Sequence, residues 1–245
     1  DLPLNSDVHG TNIPASSASI YRFNGAAGQR LFFDFAATNV GAAYVYLFDP
    51  QNQSMYGSAS LTTDFERILP ADGTNVLIIG NTAALTPVDF AFRVTTPATT
   101  TNALTLGATV SGALSEPGEE DRYMFTGMAG QRLYYDALDY DWDDVNVELI
   151  GPSGPSGITR HHWNSDEDIG PQTLTESGTY TLIQKGVGDY TGDYSFRLID
   201  VAQAPAAALP MDMDVDGTNA TPLAVSIYHL AGICGQRLFF DFAAT

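Results

Sequence analysis

The chain repeats itself at the scale of whole domains, and this constrains its fold more than any other feature. Residues 8–38, 110–140 and 215–245 align without gaps. Their anchors are Tyr21 and Gly28-Gln29-Arg30-Leu31, then Tyr123 and Gly130-Gln131-Arg132-Leu133, then Tyr228 and Gly235-Gln236-Arg237-Leu238. The equivalent glycines are separated by 102 and then 105 residues. Each repeat therefore has the size of a domain, well above the roughly 20–50 residues of a solenoid unit. The first and third segments share 19 of 31 positions, including the unbroken stretches 28–38 and 235–245, whereas the first and second share 11 of 31. Two repeat types, A and B, thus alternate. The 245 residues read as A over 1–98, B over 102–201 and an incomplete third repeat of type A over 207–245. Beginning at Asp1 and ending where Thr38 stands in the first repeat, the chain reads as a processed or excised segment.

The periodicity inside each repeat is that of strands. Leu31, Phe33 and Phe35 alternate with Phe32 and Asp34, and Leu133 and Tyr135 alternate with Tyr134 and Asp136. Val45 and Leu47 run into Asp49-Pro50, as Val147 and Leu149 run into Gly151-Pro152, so each strand ends in a turn. No window carries an apolar stripe at helical spacing with caps. Short strands punctuated by Gly, Pro, Asn and Asp in units of this size predict an all-β chain of tandem antiparallel β-sandwiches. Thr95-Thr96-Pro97-Ala98 with Thr99 to Thr101, and Ala202 to Ala208, have linker composition.

Charge narrows the partners. With 29 acids against 10 bases the net charge is -19, and only one base is a lysine, Lys185. Neither nucleic acid nor an anionic membrane surface suits such a chain. No apolar run reaches the ~18 residues of a membrane helix, so no membrane insertion is expected. Cys234 stands alone, which rules out an intrachain disulfide and a cysteine metal framework. An acidic, cysteine-poor, lysine-poor chain suits secretion or the cell surface.

The second repeat carries a recognisable set of motifs. Asp121-Arg122-Tyr123-Met124-Phe125, Gly127 to Leu133, Gly151-Pro152-Ser153-Gly154, Ser177-Gly178-Thr179-Tyr180 and Gly192-Asp193-Tyr194-Ser195-Phe196 together resemble the bacterial pre-peptidase C-terminal domain. The resemblance implies small β-sandwich modules, found downstream of secreted peptidases or in tandem in large surface proteins. It extends over both repeats and the third segment, although Ser19 replaces the Asp and Asn75 the Tyr in the first. These motifs are turn glycines and core aromatics, so they speak to fold before function. Gly28, Gly130 and Gly235 are expected at positive φ, and Tyr21, Tyr123 and Tyr228 as buried rings with tethered hydroxyls.

Calcium is the one ligand the residues support. Asp139, Asp141, Asp143 and Asp144 form an acid run after a strand, where a loop can wrap oxygens round a hard cation, and Asp166 to Asp168 can contribute. The resemblance adds Asp121, because clostridial collagenase members of the family bind calcium through an Asp before the Tyr-x-Phe strand and through acids further upstream. Residues 99–107 here contain no acid. A solvated acidic face is the alternative. Asp212, Asp214 and Asp216 mimic an EF-hand start, but Leu223 occupies the twelfth position and no helices flank it. Alternation instead points Met211, Met213 and Val215 inward.

Catalysis is not expected. His161 and His162 are adjacent, so on a strand they face opposite ways, and no Gly-x-Ser-x-Gly, His-Glu-x-x-His or phosphate loop occurs. Cys234 replaces Ala27 and Ala129 and reads as a small packing residue. Tyr140, Trp142, Trp163 and Tyr190 lie in loop-like sequence and can stack on a polysaccharide or contact a partner, with core packing as the other reading. The expectation is a non-enzymatic extracellular structural module whose partners include neighbouring copies of itself. Accessory substrate- or polysaccharide-binding domains of a secreted peptidase are the alternative.

Overall fold

Alternation of large apolar residues with polar ones produces strands throughout, and no helix occurs among the described residues. The computed structural model describes residues 1–12, 17–36, 43–81, 87–139, 145–160, 167–217 and 225–242, with the side chains of 157–160 excepted. The first repeat contains β1 (Asp7–Asn12), β2 (Ala18–Gly25), β3 (Arg30–Phe35), β4 (Ala43–Phe48), β5 (Ser54–Ser58), β6 (Phe65–Ile68), β7 (Gly73–Asn81) and β8 (Val88–Thr95). They form two antiparallel sheets, ordered β1-β8-β3-β6 and β2-β7-β4-β5. Between them lies a core of Phe23, Leu31, Phe33, Val45, Leu47, Leu77, Ile79, Phe90, Phe92 and their neighbours. Phe33 and Phe65 stack with centroids 4.5 Å apart.

The second repeat reproduces this plan. It contains β9 (Thr99–Ala103), β10 (Thr109–Leu114), β11 (Glu120–Gly127), β12 (Arg132–Ala137), β13 (Val145–Gly151), β14 (Gly154–Arg160), β15 (Ile169–Thr173), β16 (Gly178–Gly186) and β17 (Gly192–Asp200). The sheets are β10-β17-β12-β15 and β14-β13-β16-β11-β9, with a separate core around Leu133, Tyr135, Val147, Leu149, Leu182, Tyr194 and Phe196. The expected all-β tandem sandwich is thus present.

One departure concerns the linker. Thr99–Ala103, expected in part as a connection, is a strand that pairs parallel with β11, Thr99 opposite Glu120 and Ala103 opposite Met124. Only residues 96–98 separate the last strand of the first sandwich from the first strand of the second. Polar Thr-rich composition suggested a linker, whereas β-branched threonines also suit an exposed edge strand, and pairing decided between them.

The third segment copies this arrangement in outline. β18 (Ala207–Ala208) pairs parallel with β19 (Tyr228–His229) in the register of β9 on β11. The amide of Leu209 donates to the His229 carbonyl at 2.8 Å, as Leu104 does to Met124 and Leu2 to Arg22, both at 2.7 Å. The Gly-Gln turn forms in all three repeats, with Gly28, Gly130 and Gly235 at φ of 80°, 84° and 80°. In each, the glutamine side-chain carbonyl accepts the backbone N–H three residues earlier, at 3.0, 3.0 and 3.1 Å. A Cβ at any of these glycines meets nothing within 4 Å, so only the left-handed backbone demands glycine. Gly130→Ala is therefore expected to cost about 1–2 kcal/mol in urea unfolding, and Gly130→Asn less, because Asn tolerates this conformation.

Candidate functional site

Charge that the composition scattered along the chain is gathered at the junction of the two sandwiches. Its centre is Arg30 at the start of β3. The guanidinium donates to Glu66 on β6 at 2.9 Å and to the Gly118 carbonyl at 2.5 Å. It also donates to the Ala98 carbonyl at 2.8 Å and to the Thr99 hydroxyl at 3.0 Å, and lies 3.4 Å from Glu120. Lys185 on β16 closes the ring, 2.7 Å from Glu66 and 3.4 Å from Glu120. Beside it Phe32, on the outer face of β3, is covered by Gly118, where a Cβ would approach the ring to 2.8 Å. Phe32 is consequently as buried as the core rings, against the alternation expected of an outward residue.

Glu119, Glu120 and Asp121 are three consecutive buried carboxylates, and each is held by its own set of partners. Glu119 accepts the amide and hydroxyl of Ser115, at 2.6 and 2.7 Å, holding the β10–β11 turn. Burial opposes ionisation of Glu120, yet Arg122, Arg30 and Lys185 outweigh it and hold the carboxyl below the usual range. Asp121 accepts the Tyr194 hydroxyl at 2.5 Å and also that of Thr100, while Tyr123 and Tyr194 share a hydroxyl–hydroxyl bond of 2.6 Å. Burial, then the hydrogen bond to Asp121, raises the Tyr194 hydroxyl well above its ordinary value.

A second feature of the junction is a carboxylate trio. Asp34 on β3, Asp64 before β6 and Asp189 in the β16–β17 turn bring one oxygen each within 4.8 Å of one another. Asp64 is pushed up to about 6, first by burial and then by Asp34 and Asp189, against the amide of Phe35 that donates to it at 2.8 Å. Burial and then Asp189 raise Asp34, which Arg93 partly offsets and Asp7 reinforces.

The sequence-predicted site residues are distributed as follows. Asp139 is half-buried after β12, a strand of the sheet opposite the one that holds β11 and Asp121. Tyr140, Asp141, Trp142, Asp143 and Asp144, together with Trp163, His161 and His162, lie outside the described residues. Asp168 accepts the Ala137 amide and the Tyr134 hydroxyl, both at 2.9 Å, and Tyr134 is raised to about 12 by burial and then by that bond. Tyr190 packs against the second core, so the core reading holds for it. Tyr123 is a buried ring with a tethered hydroxyl as expected, but Tyr21 is half-buried and Tyr228 is exposed.

Other expectations for the third segment are corrected. Met211, Met213, Val215 and Cys234 are all exposed, because the segment has no opposing sheet to pack on among the described residues. The largest effect falls on Leu238, Phe239, Phe240 and Phe242. They are 42, 91, 53 and 89% exposed, while the identical Leu31, Phe32, Phe33 and Phe35 of β3 are at 0, 4, 0 and 7%.

No protein-family model matches the sequence, and no curated protein matches it. Among solved structures, the chain is similar to a periplasmic inhibitor of g-type lysozyme from Aeromonas hydrophila, at 14% identity and a TM-score of 0.31, over 42% of this chain and 98% of that one. It is similar to the CUB1-EGF-CUB2 domain of human MASP-1/3 at 10% identity and a TM-score of 0.26, over 79% and 98%. For a turret protein of Sulfolobus turreted icosahedral virus the values are 8% and 0.22, over 79% and 97%. Likeness this slight carries nothing about function, which rests on the chain's own residues. No helix among the described residues is long and apolar enough to cross a membrane.

Two outcomes follow from this geometry. Tyr194→Phe should destabilise the protein by about 1–3 kcal/mol by removing a donor from buried Asp121. Adding Asp121→Ser, which restores the pair found in the first repeat, should recover part of that loss in a double-mutant cycle. The raised Asp64 binds its proton in the folded state near pH 6, whereas the unfolded chain binds it near 3.8. Its contribution therefore makes the fold more stable as pH falls from 7 towards 4. Asp64→Asn keeps the acceptor for Phe35, so thermal melts should show it more stable than the parent at pH 7.5 and equal to it near pH 4.

Proposed function

We propose that the chain is a non-catalytic structural and interaction module of a larger extracellular repetitive protein, and that it associates with further copies through the open face of its third segment. The observation that carries this reading is the exposed row Leu238, Phe239, Phe240 and Phe242, whose identical counterparts fill the core and junction of the first repeat. Leu238, Phe240 and Phe242 correspond to the inward residues of β3 and Phe239 to its outward one, and leaving each such side chain in water forgoes about 1.5–3 kcal/mol. Strands from a neighbouring copy cover such a face in the way a peptide adds to a sheet.

The resemblance to the pre-peptidase C-terminal domain supports the reading, because those modules occur in tandem in surface proteins. So does the acidity of the second repeat, where 17 acids face 5 bases over residues 102–206 and keep an extended array soluble.

Sedimentation velocity on the full chain tests it. The sedimentation coefficient should rise with concentration, and Phe239→Ser with Phe242→Ser should hold the chain at the monomer value without changing its far-ultraviolet dichroism. A parent chain that stays monomeric up to millimolar concentration overturns the proposal.

A further inference from the structure

At the junction between the two sandwiches the repeat types differ in charge. Arg30 and Glu66 sit on the outer face of β3 and β6 in the A-type sandwich. They meet Glu120 and Lys185, directly opposite each other across β11 and β16 on the leading edge of the B-type sandwich. The same two edge positions in the A-type sandwich are Ala18 and Gly80, paired by the same register on β2 and β7. In the third segment, also of type A, Val225 replaces Glu120. An A-type edge therefore carries neither charge.

The accepting faces differ as well. Where the A-type face has Arg30, Phe32 and Glu66, the B-type face has Arg132, Tyr134 and, at a bulge in the pairing, Gly170-Pro171. Arg132 is exposed, and Tyr134 turns its hydroxyl to Asp168. The third segment meets this face by another contact, the amide of Val225 donating to Asp136 at 3.2 Å.

We propose that the A-to-B junction reads repeat type: the outer face of β3 and β6 in an A-type sandwich accepts an edge that carries a cross-strand Glu–Lys pair beside a glycine turn, and rejects an A-type edge. The partner is thus a B-type sandwich presented by its first strands. Two features give the selection. First, Arg30 and Glu66 are largely buried, with side chains 12 and 21% exposed, and Glu120 is 8% exposed. An A-type edge covers Arg30 and Glu66 with Ala18 and Gly80, removing water from both charges and supplying no partner. Second, Phe32 requires a backbone that passes without a Cβ, which Gly118 supplies at φ 78°. A B-type edge on a B-type face fails in the opposite sense, because Gly170 and Pro171 offer Lys185 no carboxylate. Alternation of A and B, and its direction along the chain, is written into these four charges.

The test is made on the full chain by residual dipolar couplings, which report whether two folded bodies share one alignment tensor. In the parent, couplings from residues 1–95 and 99–200 should fit a single tensor. Glu66→Lys sets a second cation against Lys185 and should split the fit into two tensors. Adding Lys185→Glu to that variant exchanges the two charges, so that a pair of cations on the first sandwich faces a pair of carboxylates on the second. That double variant should return the single tensor. Glu120→Ala with Lys185→Gly gives the second sandwich an A-type edge and should also split the fit, while amide shifts in each core stay in place. Ala18→Glu, on an edge away from this junction, should leave one tensor. A single tensor in Glu66→Lys, or two tensors in the charge-exchanged chain, overturns the proposal. Because every readout concerns residues 1–200, failure of self-association through the third segment leaves these outcomes unaffected.

Discussion

One guanidinium holds the first two repeats in register. Arg30 is largely withdrawn from water, and burying a cation is tolerable only when acceptors replace its hydration. Here they come from three directions: a carboxylate of its own sandwich, two backbone carbonyls ahead of and within the second sandwich, and the carboxylate of Glu120 beyond them. A lysine, with a single ammonium on a flexible stem, does not reach so divergent a set, whereas the planar fork of arginine does. The position of β9 follows, because its first residue and the one before it are both held by this side chain. Arg132 and Arg237 have the same Gln-Arg-Leu context and are exposed, so the neighbour across the junction, not the local sequence, gives the arginine its task.

The two sandwiches also show how a shared backbone accepts different chemistry. Gly10 and Gly112 occupy equivalent places, and an aromatic ring lies over each so closely that a Cβ would sit 2.3 Å from the Phe90 ring and 2.4 Å from the Tyr194 ring. In the first repeat that ring is Phe90, and Ser19, whose hydroxyl donates to Asn12, holds the position equivalent to Asp121. In the second the ring is Tyr194, whose buried hydroxyl needs an acceptor, and Asp121 stands where Ser19 stood. The two replacements are physically linked: Tyr194 donates to Asp121 while also bonding the Tyr123 hydroxyl, and aspartate without it keeps the Thr100 hydroxyl alone. Asp121, expected from the sequence as a calcium ligand, has both of its oxygens engaged by hydroxyls in this fold.

What the sequence made legible was local. The period-two pattern placed β3, β4, β12 and β13, the Gly-Gln-Arg-Leu motif placed the turns, and self-comparison placed the repeats, since each depends on residues near one another in the chain. What stayed hidden was non-local. Glu66 and Lys185 are 119 residues apart, and nothing in either neighbourhood announces the other. The signal that existed was comparative: Glu120 and Lys185 are charged in B where A has Ala18 and Gly80, and Glu66 is charged in A where B has Gly170-Pro171. Charge that changes between repeats while the core pattern persists marks a surface that differs, and the junction is that surface. The threonines of β9 misled for a related reason, because edge strands and linkers share their composition and only pairing separates them.

The third segment separates the two levels at which the repeat is built. Its Gly-Gln turn closes with the same hydrogen bonds, and its parallel pair takes the same register, although no opposing sheet is in place among the described residues. Those features are satisfied by hydrogen bonds within short reach, so they form without a core. Burial of Phe239, Phe240 and Phe242 has to come from strands far away in sequence or in another chain, and here it does not come. The same hand-over recurs at both boundaries: the residues that leave one sandwich at Thr99 and at Ala207 begin pairing with the next. A chain organised in this way has almost no free linker, and three residues with a buried charge network separate its two complete sandwiches. Order between neighbours is therefore supplied by the chain's own strand pairing and ion pairs, and the same short connection that limits their motion fixes which face of each sandwich meets the next.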